Sequence, residues 1–176
     1  FEVKENMNVI LNQLDETNYV ARSAIKLKYF LDENNLELDW FNCLDIWSSI
    51  GWFCQILLEK WAKKIYAVDV WTSQLHEKVR KEEKVISIEN TDIRDLKSLE
   101  AELDLITCDV SFISLENIID SIIKHMWNKT TALLLFKPQF EVGQKYINKK
   151  WIVTSEKIIK KKMDDFLLLC KNKNLL

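Results

Sequence analysis

The sequence predicts an α/β domain, a Rossmann-like and mostly parallel sheet with helices on both faces. Five short apolar runs alternate with helix-like patterns along the chain. The runs are continuously apolar, as strands covered on both faces are. Several end in a polar residue (Asp45, Asp69, Asp109, Lys137), and open α/β sheets bind ligands at these carboxyl ends.

In chain order, residues 1–18 have weak periodicity and read as a leader or the tail of a preceding module. A helix is expected from Arg22 to Glu33, with Ala24, Ile25, Leu27, Phe30 and Leu31 on its apolar face. The predicted strands are 41–46, 64–70, 84–89, 103–110 and 131–137, with helical patterns near 51–61, 73–82, 95–101 and 115–125. After Pro138 the segment QFEVGQKYINKK reads as a polar loop, followed by a helix from Ser155 to Lys171. Ending on a helix leaves a doubly wound sheet without its C-terminal strands. The run KIIKKKMDD at 157–165 reads as a solvated helix face.

The 176 residues suit one domain, and 48% apolar residues supply a core. A net charge of −2 gives no global basic field, so affinity for nucleic acid would need a local patch or another module. Glu2, Lys4 and Glu5 interrupt the first residues, and runs such as ALLLF are too short to span a bilayer. The expected setting is cytoplasmic. Cys43, Cys54, Cys108 and Cys170 lack C-x-x-C spacing and read as buried free thiols, with no metal site expected.

Glycine is abnormal. A usual share would be about 12 residues, whereas the chain has 2 glycines and 7 tryptophans. Tight turns in an α/β sheet need glycine for positive φ and close backbone approach.

In LDIWSSIGWF (44–53) a strand runs into a turn and then a helix, with Asp45 at the strand end and the small residues Ser48, Ser49 and Gly51 in the turn. Backbone N–H groups at such a turn can hold an anionic group. Asp69, ending the next strand, stands where an acidic side chain accepts ribose hydroxyls. Taken alone, the two aspartates are equally readable as turn or cap residues.

YVARSAIKL (19–27), LDIWSSIGWF (44–53), YAVDVWTSQL (66–75), LDLITCDVSFISL (103–115) and FKPQFEVGQ (136–144) occur in this order. Together they resemble the hemolysin-A/TlyA family, relatives of the FtsJ-type RNA 2′-O-methyltransferases. The resemblance covers roughly residues 1–160, and it implies a methyltransferase domain over 19–176 with an S4-type RNA-binding module before it. S-adenosylmethionine is the implied cofactor. Ribosomal RNA or ribosomal subunits are the implied partners, with cytidine ribose as the implied target.

The resemblance implies a Lys-Asp-Lys-Glu set, matched here by Lys26, Asp109 and Lys137. No residue before Leu176 matches the glutamate, a departure that bears on activity. Lys137 is expected to activate the 2′-hydroxyl, with Asp109 orienting it and meeting the methyl donor. Lys26 would add positive charge beside nucleophile or RNA, and Arg22 would reach phosphate. The implied cofactor contacts are Asp45, Trp47, Ser48, Ser49, Gly51, Trp52 and Phe53 around the methionine part, Asp69 at the ribose and Asp92 near adenine.

All seven tryptophans fall where such a sequence has glycine: Trp47 and Trp52 in the first turn, Trp61 before Ala62, Trp71 after Val70, Trp151 before Ile152, and Trp40 and Trp127 in turns before strands. One cause suffices for all seven, a gene whose UGA codons mean glycine. Restoring them raises the glycine count from 2 to 9. The competing expectation is genuine tryptophans packed in the core. The alternative to an enzyme is a non-catalytic RNA-binding or ribosome-assembly factor that keeps the fold. A membrane-lytic role is disfavoured, since no strongly amphipathic cationic helix is evident.

Overall fold

A computed structural model describes residues 24–175. Five parallel strands, β1 (Asn42–Ile46), β2 (Lys64–Val68), β3 (Val85–Ile88), β4 (Leu105–Cys108) and β5 (Thr131–Leu134), form one sheet in the order β3-β2-β1-β4-β5. The chain therefore reverses direction across the sheet between β1 and β4, and the crevice beyond their carboxyl ends is the switch point where such sheets bind ligands.

Side-chain alternation sorts the strands' apolar residues between two layers. Cys43, Ile65, Ala67 and Leu105 pack with α1 (Ala24–Glu33), α2 (Trp52–Glu59) and Val79 of α3 (Glu77–Arg80). Leu44, Ile46, Tyr66, Val68, Ile106 and Cys108 pack on the other side with α4 (Ile119–Ile123) and α6 (Glu156–Asn172). Burial on both faces explains the continuous apolar runs of β1, β2 and β4, whereas the edge strands β3 and β5 are only partly covered. The four cysteines are free and buried, and burial pushes the Cys43, Cys54 and Cys108 thiols up, the last to about 12.

Three expectations need correction. Residues 95–101 form turns and irregular chain instead of a helix. The 115–125 helix is split at Ile118 (φ −120°) into a 3-10 turn, Leu115–Asn117, whose start Ser114 caps with its hydroxyl, and α4. The stretch after Pro138 contains a short helix, α5 (Pro138–Glu141), with proline at its first position, where a missing N–H costs nothing. α6 matches expectation, and Lys157, Lys160 and Lys161 on it face solvent. The residues assigned to a leader (1–18) and Arg22 lie outside the described residues.

The backbone speaks directly to the tryptophans. Trp40 (φ 68°), Trp47 (φ 67°), Trp61 (φ 64°) and Trp151 (φ 60°) are all left-handed, a region costing a bulky residue roughly 1–2 kcal/mol. Trp61 follows α2 as Ala62 N–H bonds to Leu57 O at 3.0 Å and Trp61 N–H to Leu58 O at 3.1 Å. That pairing is the Schellman motif, whose left-handed residue is most often glycine. Trp40 is the third residue of a turn closed from Phe41 N–H to Leu38 O at 3.0 Å. Trp52, Trp71 and Trp127 have ordinary dihedrals, so conformation alone asks for glycine at four of the seven sites. Core packing does not explain the set either, since Trp40, Trp61, Trp71, Trp127 and Trp151 are exposed.

Gly51, also left-handed at φ 90°, joins β1's turn to α2, and a Cβ there would sit 3.0 Å from Val79 Cγ1. Both the dihedral and α3 behind it require glycine at this position.

Trp40→Gly and Trp61→Gly are each expected to stabilise the fold by about 1 kcal/mol in chemical denaturation, whereas Trp127→Gly, without the strain, yields no gain. The gene is expected to carry UGA at all seven positions. UGG codons there would overturn recoding and leave the strain at four sites standing.

Candidate active site

The polar strand ends do not all open to one crevice. Asp45 lies within β1 and is buried beneath α2, accepting from Thr107 Oγ1 at 2.8 Å and Cys54 Sγ at 3.2 Å. Burial pushes its carboxyl up to about 7, outweighing the lowering effect of those two hydrogen bonds. The expected cofactor contact is thus, in this arrangement, a core group tying β1 to β4 and α2.

The turn after β1 does face the rim. Trp47 N–H and Ser48 N–H both reach Val68 O, at 2.9 and 3.0 Å, folding the turn over β2. Ser49 is left-handed at φ 50°, and its N–H donates to Asp69 Oδ2 at 2.6 Å, while Trp71 N–H donates to Oδ1 at 2.8 Å. Each Asp69 oxygen keeps a further acceptor position. Asp69 and Asp92 line one cavity with Trp47, Thr91, Ile93 and Val110. The Arg94 guanidinium, 2.6 Å from Asp92, holds that carboxyl below the usual range.

The second cluster bridges β4 and β5. Lys137 Nζ lies 2.6 Å from Asp109 Oδ1, donates to Ser111 Oγ at 2.8 Å and reaches Asp109 O at 3.1 Å. The Asp109 contact is ionic without hydrogen-bond alignment, which leaves Oδ1 a buried oxygen lacking a donor. Removing either member of so buried a pair costs about 3–5 kcal/mol, because the other charge is stranded. Phe112, 76% exposed and left-handed at φ 65°, stands beside this pair. Its ring lies 5.0 Å from Phe140 and 5.9 Å from Trp151.

Lys26 is not part of this cluster. It is an exposed residue of α1, lining a groove with Phe53 and with residues 132–135, at and just past the end of β5. The sequence reading also passed over Ser111, Phe112, Phe140 and Glu141. The signal lay in DVSF and KPQFE, of which only the aspartate and the lysine were read.

The polar set fits a nucleoside-bearing cofactor. Ser48 Oγ is fully buried at the turn without a partner, a condition costing about 1–3 kcal/mol that a bound polar ligand relieves. The volume does not yet fit. The cavity beside Asp69 measures about 20 Å³, room for about one water, and the Trp47 indole forms part of its wall. Trp52 Nε1 is likewise buried and unpaired. Among the described residues no three His, Cys, Asp or Glu side chains gather as a metal site, and no helix is long and apolar enough to cross a membrane.

The FtsJ-like methyltransferase profile matches residues 19–175. The chain belongs to that family. It is 51% identical over 153 residues to the 23S rRNA (cytidine-2′-O)-methyltransferase TlyA of Campylobacter jejuni, covering 86% of this chain and 59% of that protein. It is 35% identical to hemolysin A of Brachyspira hyodysenteriae, covering 86% of this chain and 63% of the relative. A crystal structure described as a hemolysin from Lactococcus lactis superposes with a TM-score of 0.83 at 32% identity, over 88% of this chain and 75% of that one. The chain thus spans about three fifths of the curated relatives' length, and the family resemblance in its motifs is borne out.

Asp45 generates a pH expectation. The folded chain holds a proton up to about 7, whereas the unfolded chain releases it near 3.8. Its stabilising contribution is complete below that window and lost as pH rises through it. Asp45→Asn cannot ionise, so its stability relative to the parent should grow by roughly 4 kcal/mol from about pH 4 to about pH 8 in denaturant titrations. Parallel curves would show that the buried carboxyl is not perturbed.

Proposed function

We propose that this chain is the catalytic domain of an S-adenosylmethionine-dependent enzyme that methylates a ribose 2′-hydroxyl of ribosomal RNA, cytidine being the target nucleoside. The observation that carries this reading is the Asp109–Lys137 pair at the carboxyl rim of β4 and β5, one strand away from the turn that ends β1. The cofactor supplies an activated methyl group on a sulfonium. Asp69 and Asp92 are placed to accept from its ribose and adenine, and Ser48 and the Ser49 turn to meet its amino-acid part.

Transfer to a sugar oxygen asks the protein for alignment and for charge at the oxygen losing its proton. Lys137 supplies a cation whose Nζ is fixed by Asp109 and Ser111, so it meets the hydroxyl without searching among rotamers. Asp109 holds the lysine and faces the methyl donor. Lys26, exposed on α1, suits an RNA phosphate better than the hydroxyl itself. The exposed Phe112 ring, backed by Phe140 and Trp151, offers the stacking surface by which unpaired RNA bases are held.

One observation favours the non-catalytic alternative, an RNA-binding or ribosome-assembly factor: the cavity of about 20 Å³ admits no nucleoside while indole stands at 47. Methylation of ribosomal subunits by the full-length protein with glycine at 47 and 52 separates the two. Transfer is expected, and Lys137→Ala should reduce its rate by about two to three orders of magnitude while leaving cofactor affinity within a few fold. Cofactor binding that stays absent with glycine restored would point to the non-enzyme.

A further inference from the structure

The Lys137 side chain is held by one end of a two-sided clasp, and the other end is a glutamate that no step above uses. Glu141 closes α5 and is 8% exposed. Its Oε2 accepts from Ser114 Oγ at 2.6 Å and its Oε1 from Leu115 N–H at 3.0 Å. Ser114 Oγ in turn accepts from Glu116 N–H at 3.1 Å. None of the ion pairs among the described residues includes Glu141. A buried carboxylate held only by neutral donors is a costly way to fill space, since an apolar side chain would need no donors at all.

Its contacts explain its presence. The exit of β4 (109–115) and the exit of β5 (137–141) run side by side, joined at three points. Lys137 grips Asp109 and Ser111 at one end, the Phe112 and Phe140 rings meet in the middle, and Glu141 grips Ser114 and Leu115 at the other. Lys137 is the residue that caps α5 and Glu141 is its last, so the two grips stand four positions apart along one short helix.

We infer that Glu141 is a positioning residue which, through α5, sets where Lys137 Nζ and the Phe112 ring stand relative to Asp109. The inference rests on the methyltransferase reading for its catalytic consequence but not for its structural one. Releasing the clasp lets the β5 exit swing from the β4 exit, and a misplacement of about 1 Å at a reacting group costs on the order of 100-fold in rate. The negative charge itself is dispensable. A glutamine can accept from Leu115 N–H through its oxygen and donate to Ser114 Oγ through its amide.

The test compares Glu141→Ala, Glu141→Gln and Ser114→Ala in the full-length protein with glycine at 47 and 52, which is the parent for both readouts. In methylation of ribosomal subunits, Glu141→Ala should lower kcat on the order of 100-fold with KM for S-adenosylmethionine within about two-fold, and Glu141→Gln should restore kcat to within about five-fold of the parent. In 15N NMR of the lysine ammonium groups, read without substrate, the Lys137 signal should move in Glu141→Ala and Ser114→Ala and stay in Glu141→Gln. If Glu141→Ala does not fold, Ser114→Ala carries the comparison from the other side of the clasp. An unmoved Lys137 signal in the folded alanine variants overturns the inference, as does equal loss of kcat in glutamine and alanine. A parent that transfers no methyl group sinks the methyltransferase reading instead, and the ammonium signal still decides the role of Glu141.

Discussion

A charge pair between two neighbouring strand exits is the constraint on which the rim of this domain is built. Asp109 follows β4 and is nearly sealed from solvent, so an unpaired charge there would destabilise the fold by several kcal/mol. Lys137 follows β5, and it reaches Asp109 because β4 and β5 run parallel in register, Cys108 opposite Leu134. The parallel topology thus delivers the cation to the anion. Ser111, Ser114 and the Leu115 N–H add the hydrogen bonds that hold the two exits together.

The other side of the rim is organised by backbone donors. Asp69 gathers the N–H groups of Ser49 and Trp71, which draws the β1 turn toward the end of β2. Asp45, opposite Ala67 and so two register positions earlier, is turned inward to Thr107 and Cys54. The two aspartates differ because Asp45 lies within β1 beneath α2, whereas Asp69 stands just past the end of β2, in the loop. Both are buried, and their partners separate them: Asp45 is held by core side chains, whereas Asp69 is held by loop N–H groups and lines the cavity.

Much of the fold was legible because both faces of the sheet are covered: continuous apolar runs marked all five strands to within a few residues. The 95–101 helix was misread because Leu96, Leu99 and Ala101 have helical spacing, yet they pack against the core from turns and irregular chain. QFEVGQKYINKK was read as a polar loop from its composition, whereas Pro138 in fact starts a short helix that runs to Glu141. The strand-end pair was visible from residue type and position. Glu141 was not, since its significance lies in contacts made 26 and 27 residues away. The left-handed turns at Trp40, Trp47, Trp61 and Trp151 were foreshadowed by composition and by the glycine positions of the motifs, and dihedrals then distinguished them from the other three tryptophans.

The close approach of Gly51 to Val79 has a mechanical meaning. α3 is a helix of four residues leaning on β3, the strand at the edge of the sheet, and its valine methyls rest against the backbone that launches α2. The Val79 methyls alone stand between α3 and the pivot from β1 into α2. The border helix is thus seated directly on the backbone of the loop that leads into the crevice, and a bulkier side chain at 79 would have to displace one or the other.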